Sequence, residues 1–362
     1  MLNVLLGITL IVLLVDLSLI ILWLVNYKDE AKGITDTPFV SVLVAARNEE
    51  ENLGDCLESL LAIDYPADKF EILIGNDNSN DKTGDLANAY AIRHEQIKSF
   101  TIVKQKIKGN GKANVLAQLV DKANGEFLFI TDADIRVPEN WFRAMLAGME
   151  EDIALVTGTS VVVGKSILAY LQQIDWLFAT GMLKVVSDLG IPVTTMGNNM
   201  LIRRKVYNEI GGFETLPFSV TEDLELFNRI KKNYKTVNLF NAQVLNQSTP
   251  IKSLPELLQQ RKRWMRGAFD LPIVMVGLLV LQASFFVIVL GLLFFIPWLA
   301  LAVIGIKYVL RYCFLSLVVH KLKDRINIFG SLFFELYMAI FSVVSLFYYF
   351  TSRDIDWKGR KY

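Results

Sequence analysis

Histidine is nearly missing from this chain: its 362 residues hold two, His94 and His320. Histidine-centred acid–base catalysis and histidine metal sites therefore have little material. Any chemistry must rest on carboxylates, lysine and arginine. Cysteine is equally scarce, with Cys56 in a helical pattern and Cys313 in a long apolar run. That placement excludes a disulfide framework. Net charge is lacking too, since 37 Lys and Arg balance 37 Asp and Glu. A nucleic-acid partner would need a basic excess and is not expected. The first 25 residues, MLNVLLGITLIVLLVDLSLIILWLV, carry one charge, Asp16. They have no basic leader and no A-x-A site, and the run is too long for a cleaved signal peptide. A membrane span takes roughly 20 apolar residues, so this segment reads as an anchor.

What the chain has in excess is apolar length. Hydrophobic residues make up 53%, and most of the surplus sits at the two ends. The second apolar mass runs from Leu271 to Phe350. Pro297 divides its first part into candidate spans at 272–296 and 298–319, and a third covers 329–350. HKLKDR (320–325) and the partly basic NYKDEAK (26–32) put residues 27–270 on the cytoplasmic side by the positive-inside rule. Three spans after that region would leave the tail, RDIDWKGRKY, outside although it is basic. The alternative is that one apolar stretch lies along the interface. Lys307 and Arg311 fall four residues apart in the second of these spans. Cations at such depth face protein or water; a lipid head group or a shallower span would also accommodate them. The expected organisation is an anchor at 1–26, an α/β domain at 38–250, an interface helix at 251–270, about three spans within 271–351 and a basic tail at 352–362.

Between the apolar ends the pattern alternates. PFVSVLVAA, EILIG, FTIV, EFLFIT and IALVTGT are strand-like. RNEEENLGDCLESLLAI places Leu53, Cys56, Leu57, Leu60 and Leu61 at helical spacing, with Asn48 as a cap. Leu86, Ala87, Tyr90 and Ala91 mark a second helix face. Strands alternating with helices predict a mostly parallel α/β sheet, which binds ligands beyond the carboxyl ends of its strands. Polar clusters fall at those ends: AARNEE, GNDNSNDKT and TDAD. Each alone is readable as turn chemistry; three on one sheet suggest a site.

The third cluster is the most pointed. FLFI (127–130) runs through Thr131 into Asp132 and Asp134 with only Ala133 between them. Residues two apart on an extended chain face one side. Two carboxylates held together repel unless a cation neutralises them, and Mg2+ is held by one or two carboxylates plus phosphate oxygens. Farther on, Ser253 and Glu256 form an S-x-x-E capping box. Leu254, Leu257, Leu258 and Met265 follow on one face, with Arg261, Lys262, Arg263 and Arg266 interspersed. This predicts a basic helix on a membrane surface.

VSVLVAARNEE, GNDNSNDKT, KGNGKAN, TDAD, TED and QRKRW occur in this order between residues 40 and 268. Together with the flanking apolar segments and the WKGRKY tail, they resemble the membrane-bound family 2 glycosyltransferases, which include cellulose, chitin and hyaluronan synthases and the ceramide glucosyltransferase type. The resemblance implies a GT-A fold and a nucleotide-sugar donor, UDP-linked in most members. By residue it implies Asp77 at the base, Glu49 near the nucleoside and Lys112 near the diphosphate. Asn76 stands where the family often has another acid. Asp132 and Asp134 would bind Mg2+ or Mn2+ with the donor, and Asp223 would be the catalytic base. As a structural alternative, Glu222 and Asp223 are acids favoured at a helix N-terminus. Gln260, Arg261, Arg263 and Trp264 match a Q-x-x-R-W box that contacts the donor. GNNMLIRR (197–204) and GGFE (211–214) also resemble family segments and would line the acceptor side, unless Asn198 and Asn199 are turn residues.

The expectation is a multi-pass cell-membrane enzyme, of the bacterial inner membrane, with its catalytic domain in the cytoplasm. It would move a sugar to a lipid acceptor in a metal-dependent, inverting reaction. A processive synthase extending a polysaccharide is the alternative, and a non-enzymatic nucleotide-sugar binder is a third reading.

Overall fold

The computed structural model describes all residues except 29–32, 104, 108–109, 269–270, 272, 324–328, 353, 355, 359 and 362. The basic positions read above at Lys32, Lys108, Arg325 and Arg353 therefore lie outside the described residues. Two compact units divide the chain. A sheet unit holds Asp29–Val163, Thr194–Thr249 and Asp356–Tyr362. A helical unit holds Met1–Lys28, Gly164–Val193 and Pro250–Ile355.

In the sheet unit the apolar runs become β1 (Val40–Ala46), β2 (Phe70–Asn76), β3 (Ile97–Thr101) and β4 (Phe127–Asp132). They are followed by β5 (Ile135–Arg136), β6 (Ile153–Thr157), β7 (Thr159–Val162), β8 (Met200–Arg203), β9 (Lys235–Asn238) and β10 (Leu245–Ser248). The main sheet has the order β3-β2-β1-β4-β8-β6-β9, and a smaller one pairs β5-β10-β7. β1, β2, β3 and β4 run parallel, while β8 is inserted antiparallel between β4 and β6. The sheet is thus mostly parallel with helices on both faces. Central strands of that kind are buried on both sides, and β4 shows how. Phe127 and Phe129 enter one core with Trp141 and Phe142, while Leu128 and Ile130 enter the other with Leu116. Each fully buried side chain of this size contributes roughly 1.5–3 kcal/mol.

Register positions the polar clusters. Ala46 lies opposite Asn76, and Ala45 lies opposite Asp132. The segments after β1, β2 and β4 therefore emerge side by side at one edge of the sheet. The helix after β1, Leu53–Leu61, buries Leu53, Cys56, Leu57 and Leu60. Asn48 does not cap it; Asn52 holds that position. Asn48 instead takes a left-handed conformation, φ 53°, and its Oδ1 accepts from the Asn80 amide at 2.9 Å. An asparagine tolerates that backbone region, and the side chain is spent on clasping the neighbouring loop.

In the helical unit, four helices are long and apolar enough to cross a membrane: Leu2–Asn26, Met275–Phe295, Pro297–Leu322 and Phe333–Thr351. Pro297 opens its helix, where its missing N–H costs nothing. The first three pack against one another, whereas Phe329–Thr351 packs chiefly on two other helices, Ile167–Asp188 and Leu254–Ala268. Ile167–Asp188 has no clear apolar period, because Gln172, Asp175, Thr180, Lys184 and Asp188 lie on its buried side. Lys307 and Arg311 are both buried and find protein partners. Lys307 pairs with Asp16 at 2.8 Å and donates to Gln282 at 2.8 Å. Arg311 lies 3.8 Å from Asp16 and 2.8 Å from Glu335. The single charge of the N-terminal anchor is thus a counter-ion for the third helix of its own bundle. Both cysteines are free.

Candidate active site

Lys112 is the centre of the site. It follows Asn110, whose side chain caps the helix Gly111–Val120 by accepting from the Ala113 amide at 2.9 Å. Position two of the helix carries the ammonium to the end of β4, where it pairs with Asp132 at 2.5 Å and lies 3.5 Å from Glu222. Burial alone lowers the pKa of an ammonium, but Asp132, Glu222 and Asp223 together hold Lys112 well above the usual lysine range. One cation therefore serves three carboxylates. The Asn110 amide also donates to Glu222 at 3.2 Å and to the Ser219 carbonyl at 2.7 Å. That ties the cap of one helix to the start of another about a hundred residues later, Glu222–Ile230.

Asp223 sits in the first turn of that helix, where its Oδ1 accepts from the Leu224 amide at 2.9 Å. Its carboxylate rests against Gly197. A Cβ at residue 197 would stand 2.2 Å from Asp223 Oδ2, so glycine is required for the close approach. The neighbours of Gly197 are structural. Asn198 accepts from Thr131 at 3.0 Å and from Ser160 at 2.8 Å, fixing the end of β4 just before Asp132. Asn199 is fully buried; it accepts from the Trp141 indole at 2.9 Å and donates to the Thr159 and Val244 carbonyls, each at 2.8 Å. The turn reading holds, since Gly197 and Asn198 lie in a turn closed by the Asn199 amide on the Met196 carbonyl at 2.8 Å; the asparagine side chains brace the sheet, and MLIR is the antiparallel strand β8. GGFE is a turn with φ 81° at Gly211 and 57° at Gly212, and its Phe213 is buried against Tyr207.

Asp132 and Asp134 flank the end of β4. Burial and then the charges of Asp134 and Asp132 push the Cys56 thiol up, so it is inert. Its Sγ donates to the Asp132 carbonyl at 3.6 Å. The Asp132 side chain is 33% exposed, which leaves an opening for a ligand. No group of three or more His, Cys, Asp or Glu side chains gathers as a metal cage among the described residues. A hard divalent ion that takes one or two carboxylates, with substrate oxygens and water completing its shell, fits this all-oxygen set.

A second group forms after β1 and β2. Asp77 is buried, and its amide donates to the Ala46 carbonyl at 2.8 Å. Glu49 is buried; its amide donates to Thr83 at 2.7 Å, and its Oε2 accepts from Asn52 at 2.8 Å. Arg47, two residues before Glu49, joins the segment after β1 to the loop after β2 by donating to the Asp77 carbonyl at 2.6 Å. Arg47 was not singled out in the sequence, although it lies in the same AARNEE cluster.

Gln260, Arg261, Arg263 and Trp264 lie in the helical unit, on Leu254–Ala268. Ser253 caps that helix through the Glu256 amide at 3.4 Å. Arg261 pairs with the buried Asp175, and its guanidinium lies 4.6 Å from the Trp264 ring. Trp264 meets Trp176 edge-on at 5.5 Å. Lys262 is not part of an exposed cationic face. It is 5% exposed, and its ammonium donates to the Ser352 carbonyl at 2.5 Å and the Asp354 carbonyl at 3.1 Å.

A solved archaeal structure shares this fold across 96% of the chain and 99% of its own length. It is the mannosyltransferase PcManGT of Pyrobaculum calidifontis, in complex with GDP-Man and Mn2+, with a TM-score of 0.58 at 16% identity. Among relatives in sequence, a Bacillus subtilis protein named probable glycosyltransferase YdaM is 29% identical over 67% of this chain. A beta-monoglucosyldiacylglycerol synthase of Trichormus variabilis is 26% identical over 68%, and a poly-beta-1,6-N-acetyl-D-glucosamine synthase of Staphylococcus aureus is 28% identical over 67%. The matched stretches span 58%, 52% and 56% of those three proteins. A GT-A-type sheet with acids at the end of its fourth strand, and a family profile that fits residues 6–362, together show that the chain belongs to glycosyl transferase family 21.

Proposed function

We propose that this chain transfers a sugar from a nucleotide-sugar, UDP-linked in the first instance, to a lipid acceptor at the cytoplasmic face of a bacterial inner membrane. The observation that carries the reading is the convergence of Asp132, Glu222 and Asp223 on Lys112. Asp223 takes the proton of the acceptor hydroxyl, whose oxygen bonds to the sugar anomeric carbon as the bond from that carbon to the diphosphate breaks. The configuration inverts, and the nucleoside diphosphate leaves. A positioned carboxylate of this kind contributes about 10²–10⁴-fold. Gly197 and the Leu224 amide hold the Asp223 carboxylate in place. Lys112 serves the diphosphate, while Glu49 and Asp77 serve the nucleoside. Asp132 and Asp134 would hold Mg2+ or Mn2+, which when bound neutralises the diphosphate charge that builds on the leaving group. Gln260, Arg263 and Trp264 are assigned to the donor as well; Arg261 serves by holding Trp264 in place against Asp175.

The lipid acceptor is supported by the name of the Trichormus relative and by helices of membrane-spanning length. The Staphylococcus relative supports the second reading, a polysaccharide synthase. Membranes containing the protein are incubated with labelled UDP-sugars, with and without Mn2+, and extracted with organic solvent. A labelled lipid bearing one or a few sugars is the expected product. Label in a high-molecular-weight aqueous polymer would establish the synthase instead. No metal-dependent transfer from any donor would end both readings.

A further inference from the structure

The last residues of the chain belong to the sheet unit. β11 (Asp356–Trp357) and β12 (Arg360–Lys361) pair antiparallel, with Lys358 in the turn at φ 49°. Strands of two residues do not hold a hairpin together on their own in water, so this one depends on what it touches. Arg47 Nε donates to the Lys358 carbonyl at 3.1 Å, while Arg47 Nη1 donates to the Asp77 carbonyl at 2.6 Å and the Asn78 carbonyl at 3.3 Å. One guanidinium thus joins the end of β1, the loop after β2 and the C-terminal hairpin. The Lys358 ammonium pairs with Glu49, whose side chain is 7% exposed. Burial lowers the Lys358 pKa to about 8, and the Glu49 carboxylate lies in ion-pair contact with the ammonium. The other Glu49 oxygen is held by Asn52 at 2.8 Å.

Resting on the assignment of Glu49 and Asp77 to the nucleoside, we infer that the C-terminal hairpin is part of the nucleotide subsite, and that Lys358 is a positioning residue that fixes Glu49 for a nucleoside diphosphate. The geometry leaves Glu49 with both oxygens committed and its backbone anchored on Thr83, so its orientation is set before any donor arrives. A carboxylate held in one orientation binds a nucleoside hydroxyl or base edge without an ordering penalty. Lys358 does not reach the reacting atoms through this contact. Its loss should therefore weaken donor binding and leave the chemical step alone.

The test uses the full chain in detergent and follows UDP binding by calorimetry and transfer by labelled product. Lys358→Met should raise the UDP dissociation constant and the donor KM about tenfold, the scale of one charge-assisted contact, with kcat within about twofold. Lys358→Arg should recover most of the loss. A second measurement is independent of the binding assay. Lys358→Cys in a Cys313→Ser background offers a thiol at the hairpin, since Cys56 is buried and inert. UDP should slow its labelling by a charged thiol reagent. Unchanged UDP affinity in Lys358→Met with no protection of the cysteine overturns the inference while leaving the transferase reading intact. Tighter binding in Lys358→Met also overturns it, because the hairpin would then oppose the nucleotide. A wild-type chain that binds no nucleoside diphosphate at all overturns both.

Discussion

Asp16, Glu335, Lys307 and Arg311 among the helices, and Asp132, Glu222, Asp223 and Lys112 at the strand ends, are two buried charge groups made from the same kinds of side chain. The first holds two acids and two bases, closed further by Gln282. The second holds three acids around one base among the described residues, with Asp132 a third exposed. A balanced group inside an apolar bundle needs no ligand, and it fixes which helices meet. A group at an open sheet edge, with one acid a third exposed, is accessible to something cationic, or to something that brings a cation. Access to solvent separates the two groups: Lys307 and Asp16 are closed inside the bundle, whereas Asp132 is open at the strand end.

The comparison breaks most readily at Asp223. Asp223→Asn keeps the shape and removes the basicity, so transfer should fall by about 10²–10⁴-fold while donor affinity by calorimetry stays near wild type. Retained turnover would move the base to another carboxylate. Removing one partner of the closed group should instead cost stability. Lys307→Met leaves Asp16 with the more distant Arg311 and the Gln282 amide, and thermal or denaturant unfolding should show a loss of up to about 3–5 kcal/mol. Lys307→Met with Asp16→Asn should recover part of it, and neither change should alter the donor KM of the protein that folds. Asp132→Asn reduces the open group, so donor affinity in Mn2+ should drop by about tenfold or more, equivalent to roughly 1.4 kcal/mol. With a chelator present, mutant and wild type should bind alike. The smallest effect belongs to Ser253→Ala, which removes a cap and should cost about 1 kcal/mol, read as a lower unfolding temperature with kcat unchanged.

Much of this was legible in the sequence because it is local. The apolar run that stops at Asp132 marks β4, the period of Leu53 to Leu60 marks the helix, and Pro297 marks a helix start. Other features depend on partners far along the chain. Asn48 has the chemistry of a cap, yet the loop after β2 claims its side chain. Lys262 sits in a run of exposed-looking cations, yet two carbonyls nearly a hundred residues later bury it. β8 is four residues long, and nothing local announces its antiparallel direction. Arg47 and Lys358 meet across 311 positions. Their pairing is a property of the fold, and no spacing rule contains it.

The docked hairpin also constrains how the chain threads its surroundings. A path that leaves one side of a barrier and ends on that side has crossed an even number of times. Thr249 and Asp356 belong to the same unit, and Lys358 touches Glu49. Between them stand three helices of membrane-spanning length. If all three passed through a bilayer, Lys358 would lie on the far side from its partner. The Lys358–Glu49 pairing and three full crossings are therefore incompatible.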